Sequence, residues 1–129
     1  MIPAQLKQAG HALLDGIQTA AGQWFDVKTY IERSVAFSDD VLHVLAGVFI
    51  QLIAAALLRS SVGRWRPWLI VLALELLNEW SDFHVDHWPD LGMQLGESTK
   101  DVVLTMALPT VLLIVSRRWP RLLIRPPRP

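Results

Sequence analysis

Apolar and polar positions follow two regimes along the chain. From Ile2 to Val35 the apolar residues Ile2, Leu6, Ala9, Leu13, Ile17, Ala20, Trp24, Val27, Ile31 and Val35 recur in steps of three or four, which marks one face of a helix. Lys7, Gln8, Asp15, Gln18, Gln23, Asp26, Lys28 and Glu32 fall mostly off that face. The spacing predicts an amphipathic helix. Gly10, Gly16 and Gly22 each weaken it by about 1 kcal/mol relative to Ala, which predicts a break near Gly22.

After residue 38 the amphipathic pattern gives way to three apolar runs. The first, "VLHVLAGVFIQLIAAALL" from Val41 to Leu58, holds 18 residues interrupted only by His43 and Gln51. At a rise of about 1.5 Å per residue it covers roughly 27 Å, close to a hydrocarbon core of about 30 Å. The second, "WRPWLIVLALELLNEW" from Trp65 to Trp80, has Trp at both ends, as membrane interfaces favour. Its Pro67 suits a first helical turn. The third, "DVVLTMALPTVLLIVS" from Asp101 to Ser116, holds Pro109 and so predicts a kink. "SDD" at 38–40 supplies a cap and an acidic first turn to the first run. The fold expected is an all-α membrane bundle of three transmembrane helices preceded by an amphipathic N-terminal helix. The segments are 1–37, 38–118 and an Arg/Pro-rich tail at 119–129. A soluble bundle with three buried helices is the alternative.

Composition supports the membrane reading. Of 129 residues 52% are hydrophobic and 19% charged, which is apolar for a soluble domain of this size. The absence of cysteine excludes disulfides, thiol nucleophiles and Cys-based zinc sites. Residues 1–25 read as part of the amphipathic helix and not as a secretory signal. Net charge is zero, but eight of the nine Arg lie in two clusters, at 59–66 and 117–128. That segregation argues against a nucleic-acid partner. Three spans place both clusters on one side, which the positive-inside rule makes cytoplasmic. The location expected is then a bacterial inner membrane, with the 81–100 loop facing outward.

Orientation gathers scattered polar residues into one layer near the outer leaflet: His43 from the first span, Glu75, Asn78, Glu79 and Asp82 from the second, Asp101 and Thr105 from the third. Residues 75, 78, 79 and 82 share a helical face. An ionisable residue inside a span is a functional candidate by default, and His43, Glu75 and Asp101 are the catalytic candidates. Structural roles stand beside these. Glu75 can simply bond His43, Asn78 can hold helices together, Glu79 and Asp82 can be solvated exit residues, and Asp101 can cap a helix. Gln51 reads as an interhelical bond and Lys100 as a counter-charge to the acids. In "DFHVDHWPD", His84, Asp86 and His87 form a weak metal candidate, since imidazole and carboxylate suit Zn²⁺, Mn²⁺ or Fe²⁺. A solvated acidic loop is the competing reading. No cofactor is expected.

Asp39 and His43 in "SDDVLH", Glu75 and Asn78 in "ELLNE", and Asp101 and Thr105 in "DVVLT" together resemble the VanZ-like small membrane proteins. That family often shows Asp-Lys-x-x-His, then Glu-x-x-Gln, then Asp-x-x-x-Asn. Here Asp40 stands in place of Lys, Asn78 in place of Gln and Thr105 in place of Asn, over residues 38–118. The resemblance implies a helical bundle with an outer polar layer. Some family members are similar to a protein that lowers susceptibility to lipoglycopeptide antibiotics. Two functions follow as expectations. One is an inner-membrane accessory protein acting through lipid head groups, a membrane-protein partner or self-association through residues 2–35. The other is a membrane enzyme on a lipid-linked envelope substrate, with Glu75 as base, His43 as its partner and Asp101 as an electrostatic or metal-binding group. An ion-conducting element ranks below both, because the inner half offers only Gln51 and Ser116.

Overall fold

The computed structural model describes residues 4–35, 37–85 and 88–120. They form four helices: α1 (Ala4–Val35), α2 (Asp39–Leu57), α3 (Trp65–Val85) and α4 (Leu91–Arg118). Helices α2, α3 and α4 pack on one another, and α1 packs on α3.

Each of the three packed helices turns a stripe of every fourth residue inward. These are His43, Gly47, Gln51 and Ala55 of α2, then Pro67, Val71, Glu75 and Glu79 of α3, then Asp101, Thr105, Pro109 and Leu113 of α4. Such i, i+4 rows are the ridges along which helices commonly interlock. What they carry is unusual: apart from Val71 and Leu113, the buried side chains of these stripes are small or polar. Gln51 and Thr105 are fully inaccessible, whereas Phe49 is 59%, Leu77 60% and Val103 61% exposed. A helix in a water-soluble protein does the reverse.

Close approach at mid-height rests on two residues. Pro109 has no N–H, so the Thr105 carbonyl loses its helical donor. That carbonyl faces Gly47, where an added Cβ would lie 2.0 Å from its oxygen and 3.2 Å from Pro109 Cγ. Helix α4 nonetheless runs unbroken through Pro109.

The α2–α3 turn closes the opposite end from His43. Ser60 N–H reaches Ala55 O at 2.9 Å and Arg59 N–H reaches Ala56 O at 3.0 Å, the paired bonds of a Schellman ending. Arg59 takes the left-handed conformation at φ 48°, a position where glycine is commoner. Gln51 Nε2 donates to Val62 O at 3.0 Å, so it anchors this turn and not a neighbouring helix. Trp68 Nε1 donates to Thr110 Oγ1 at 3.0 Å, and the Arg117 guanidinium lies 5.4 Å from the centre of the Trp65 ring. The Arg-bearing turn and the end of α4 therefore occupy one end of the bundle, as expected. Arg121, Arg125 and Arg128 lie outside the described residues.

Three expectations change. Helix α1 is continuous over 32 residues with no break at Gly22. The 81–100 loop is mostly helix, because α3 runs on to Val85 and α4 starts at Leu91. Asp90 sets that start: its extended backbone and its Oδ2, accepting from Met93 N–H at 3.1 Å, make it the N-cap. Asp101 is thus inside a helix and caps nothing. Finally, two helices among the described residues, α2 and α4, are long and apolar enough to cross a membrane, not three. Any 18-residue stretch of α3 contains Glu75, Glu79 and Asp82, which lowers its apolarity below that of a span.

Gly47→Val should destabilise the bundle by about 1–3 kcal/mol through overpacking. Gly22→Ala, where a Cβ meets nothing within 4 Å, should stabilise by about 0.5–1 kcal/mol. Thermal unfolding of the two variants checks both signs.

Candidate functional site

The inward stripes bring His43, Glu75, Glu79, Asp101 and Thr105 together, all buried. His43 is the centre. Its Nδ1 lies 3.1 Å from Glu75 Oε1 and 3.0 Å from Thr105 Oγ1. Its Nε2 lies 3.6 Å from Asp39 Oδ2 and 3.8 Å from Asp101 Oδ2. One imidazole is therefore flanked by three carboxylates from three helices. Asp39 precedes His43 by one helical turn, so α2 itself presents that pair on one face. Donor atoms of His43, Glu75 and Glu79 lie within 4.8 Å of one another, as do those of Asp39, His43 and Asp101. In a low-dielectric interior such a grouping must carry compensating positive charge.

The rim of the layer is ionic. Lys100 Nζ sits 2.8 Å from Asp40 Oδ1, contacts Glu97, and is 3.9 Å from Asp101 Oδ1. It serves as the expected counter-charge. Helix α1 supplies a second cation. Lys28 Nζ pairs with Asp82 Oδ2 at 2.5 Å, and Trp24 Nε1 donates to Asn78 Oδ1 at 2.8 Å. Asn78 Nδ2 in turn donates to Glu79 Oε1 at 3.2 Å and Asp82 Oδ2 at 3.4 Å.

These contacts sort the expected site residues. His43, Glu75, Glu79, Asp101 and Thr105 share the buried layer. Asn78 and Asp82 belong to the α1–α3 contact instead. Glu79 is buried and Asp82 has Lys28, so neither is a solvated exit residue. His84 lies on α3, its Nδ1 2.7 Å from Trp80 O and its ring 4.4 Å from the Trp80 ring. Asp86 and His87, the other two metal candidates, lie outside the described residues.

In the sequence, Lys28 and Trp24 stand out only as members of an amphipathic pattern. The signal that could have found them is a matched i, i+4 spacing: both contacts join residues 54 apart in sequence. Two helices running side by side in parallel produce that constant offset.

Two cavities meet at this layer. The larger, about 800 Å³, opens between α1 and the α2–α3 face. Ile17, Ala46, Phe49, Ile50, Leu74 and Leu77 contribute apolar walls, while Lys28, Asp39, His43, Glu75 and Asn78 also line it. The smaller, about 190 Å³, is lined among others by Asp39, Glu79, Asp82, Gln94, Ser98 and Asp101. Asp39 borders both. The site therefore stands between an apolar cleft and a polar vestibule.

Removing His43 leaves buried carboxylates without their partner, which costs about 3–5 kcal/mol. His43→Leu should lose that much stability, and His43→Leu/Glu75→Leu should recover part of it. Denaturant unfolding of the two single variants and the double variant measures the coupling.

No family model, curated protein or solved structure matches the chain.

Proposed function

We propose that the chain is a small multi-pass membrane protein of VanZ-like type that holds an amphipathic lipid in the large cleft, with the head group at the His43 layer. The observation that carries this is the inverted burial: polar side chains inside, large apolar ones outside. In water that arrangement leaves Phe49, Leu57, Leu77, Val103 and Ile114 unsheltered; in hydrocarbon it is the favourable one. Helices α2 and α4 qualify as spans by length and composition. Helix α3 packs on both and turns Glu75 and Glu79 inward, so it accompanies them across the bilayer despite its acids. The Arg-bearing end is cytoplasmic by the positive-inside rule, and the His43 layer lies toward the outer leaflet of a bacterial inner membrane. A Lys is usual at position 40 in the resemblance, and Lys100 brings a cation to that place, 2.8 Å from Asp40.

The cleft has the shape of chemistry that a lipid presents: a long apolar wall with polar groups along one part of it. Asp39, Glu75 and Asn78 offer acceptors there, which favour a head group rich in N–H or O–H donors, such as an amine or a sugar. The protein would act in envelope physiology as an accessory factor. The enzyme reading, with Glu75 as base and His43 as its partner on a lipid-linked substrate, is supported by one observation. The His43–Glu75 pair lines the cleft directly.

Native mass spectrometry of delipidated protein titrated with phosphatidylethanolamine tests the lipid reading. One retained lipid per chain is expected. Ala46→Trp, which fills the cleft wall, should weaken retention by about tenfold or more, equivalent to about 1.4 kcal/mol. Equal retention by the variant and the parent chain would rule the cleft out. Turnover of a lipid-linked substrate that Glu75→Gln abolishes would favour the enzyme.

A further inference from the structure

The two ring nitrogens of His43 face different chemistry. Nδ1 is shared between Glu75 Oε1 at 3.1 Å and Thr105 Oγ1 at 3.0 Å. When Glu75 acts as the acceptor in this bond, Nδ1 carries the proton. In the neutral imidazole the Nε2 lone pair then points toward two further carboxylates, Asp39 at 3.6 Å and Asp101 at 3.8 Å. Three electron-rich atoms converge there at separations too long for hydrogen bonds. Donors that each lie about 2.0–2.2 Å from a shared ion in a tetrahedral site stand about 3.4 Å apart, so a small contraction closes the set around a cation.

A second observation points the same way. The Asp101 side chain is 9% exposed, yet its Oδ1 accepts no hydrogen bond. Its nearest cation, Lys100 Nζ, is 3.9 Å away. A buried acceptor left unmatched costs free energy; Oδ1 belongs to the same carboxylate as Oδ2, the oxygen nearest Nε2, so a cation held there compensates the whole group. The Glu75 bond to Nδ1–H completes an arrangement that metal-binding histidines commonly use: one nitrogen ligates and the other donates to a carboxylate that fixes the ring.

We propose that His43 Nε2, Asp39 and Asp101 form a binding site for a divalent transition-metal ion, with Glu75 as the orienting carboxylate. One nitrogen and two carboxylates suit Zn²⁺ or Mn²⁺ better than Mg²⁺ or Ca²⁺. The polar vestibule of about 190 Å³, which Asp39, Glu79 and Asp101 line, provides the entry path. This site is distinct from the sequence-suggested group around His84, and it does not rest on the lipid reading. The competing arrangement is a doubly protonated imidazolium among acids, with no ion.

The test uses the full chain in detergent, stripped with EDTA and reloaded with Mn²⁺ or Zn²⁺ alone. Elemental analysis should give one ion per chain, and the Mn²⁺ resonance spectrum should show nitrogen coupling that His43→Ala removes. Asp101→Asn, which preserves shape, should weaken binding by more than about 100-fold. Glu75→Gln should weaken it about 10- to 100-fold with the stoichiometry intact. His84→Ala should bind like the parent chain. If His43→Ala does not fold, Asp101→Asn alone decides. Absence of stoichiometric binding, parental affinity in Asp101→Asn, or loss of the ion in His84→Ala would each overturn the proposal. No lipid enters this assay, so its outcome leaves the cleft reading to its own test.

Discussion

The close contact of α2 with α4 at Gly47 governs the rest of the structure. Two residues make it, each for a separate reason, and a third uses it. Pro109 releases the Thr105 carbonyl from the helical ladder. Gly47 offers no side chain to hold that carbonyl away. Thr105 then stands one turn from Asp101 and directs its hydroxyl to His43. A bulkier residue at position 47 pushes α4 outward, and His43 loses both Thr105 and Asp101. The distance between the two helix backbones thus sets the geometry of the polar layer.

The layer in turn decides what the outside of the bundle can be. Stripes spaced by four residues are filled mostly with His, Gln, Glu, Asp, Thr, Gly, Ala and Pro, with Val71 and Leu113 beside them, which leaves most large aliphatic and aromatic side chains to face outward. The bundle holds together more through close packing of small residues and through hydrogen bonds than through burial of large apolar groups, of which Met106 and Leu113 are buried. Those are the forces that remain available to helices in a solvent as apolar as their own side chains.

Much of this was legible in the sequence. The apolar runs located α2 and the core of α3 and α4, and the inference that the first, second and third runs meet at one level placed His43, Glu75, Asp101 and Thr105 together. The ends of α3 and α4 were not legible. Residues 81–85 and 91–100 are too polar to extend an apolar run, and only the Asp90 side-chain cap reveals that a helix begins there. Asn78 and Asp82 share a helical face with Glu75 in projection, but the face is broad. Its edge meets α1, and sequence periodicity within one helix does not say which neighbour lies beside it. The same blindness hid Lys28 and Trp24.

Helix α1 packs on α3 and is tied to it by the Trp24–Asn78 and Lys28–Asp82 bonds. Such bonds each contribute about 0.5–1.5 kcal/mol, more where a charge takes part. The helices therefore form two tiers of packing. Helices α2, α3 and α4 each pack on the other two, while α1 packs chiefly on α3. One wall of the large cleft belongs to the outer tier. Access to that cleft therefore depends on how one helix is held at its side, while the histidine and the carboxylates around it sit on the other three.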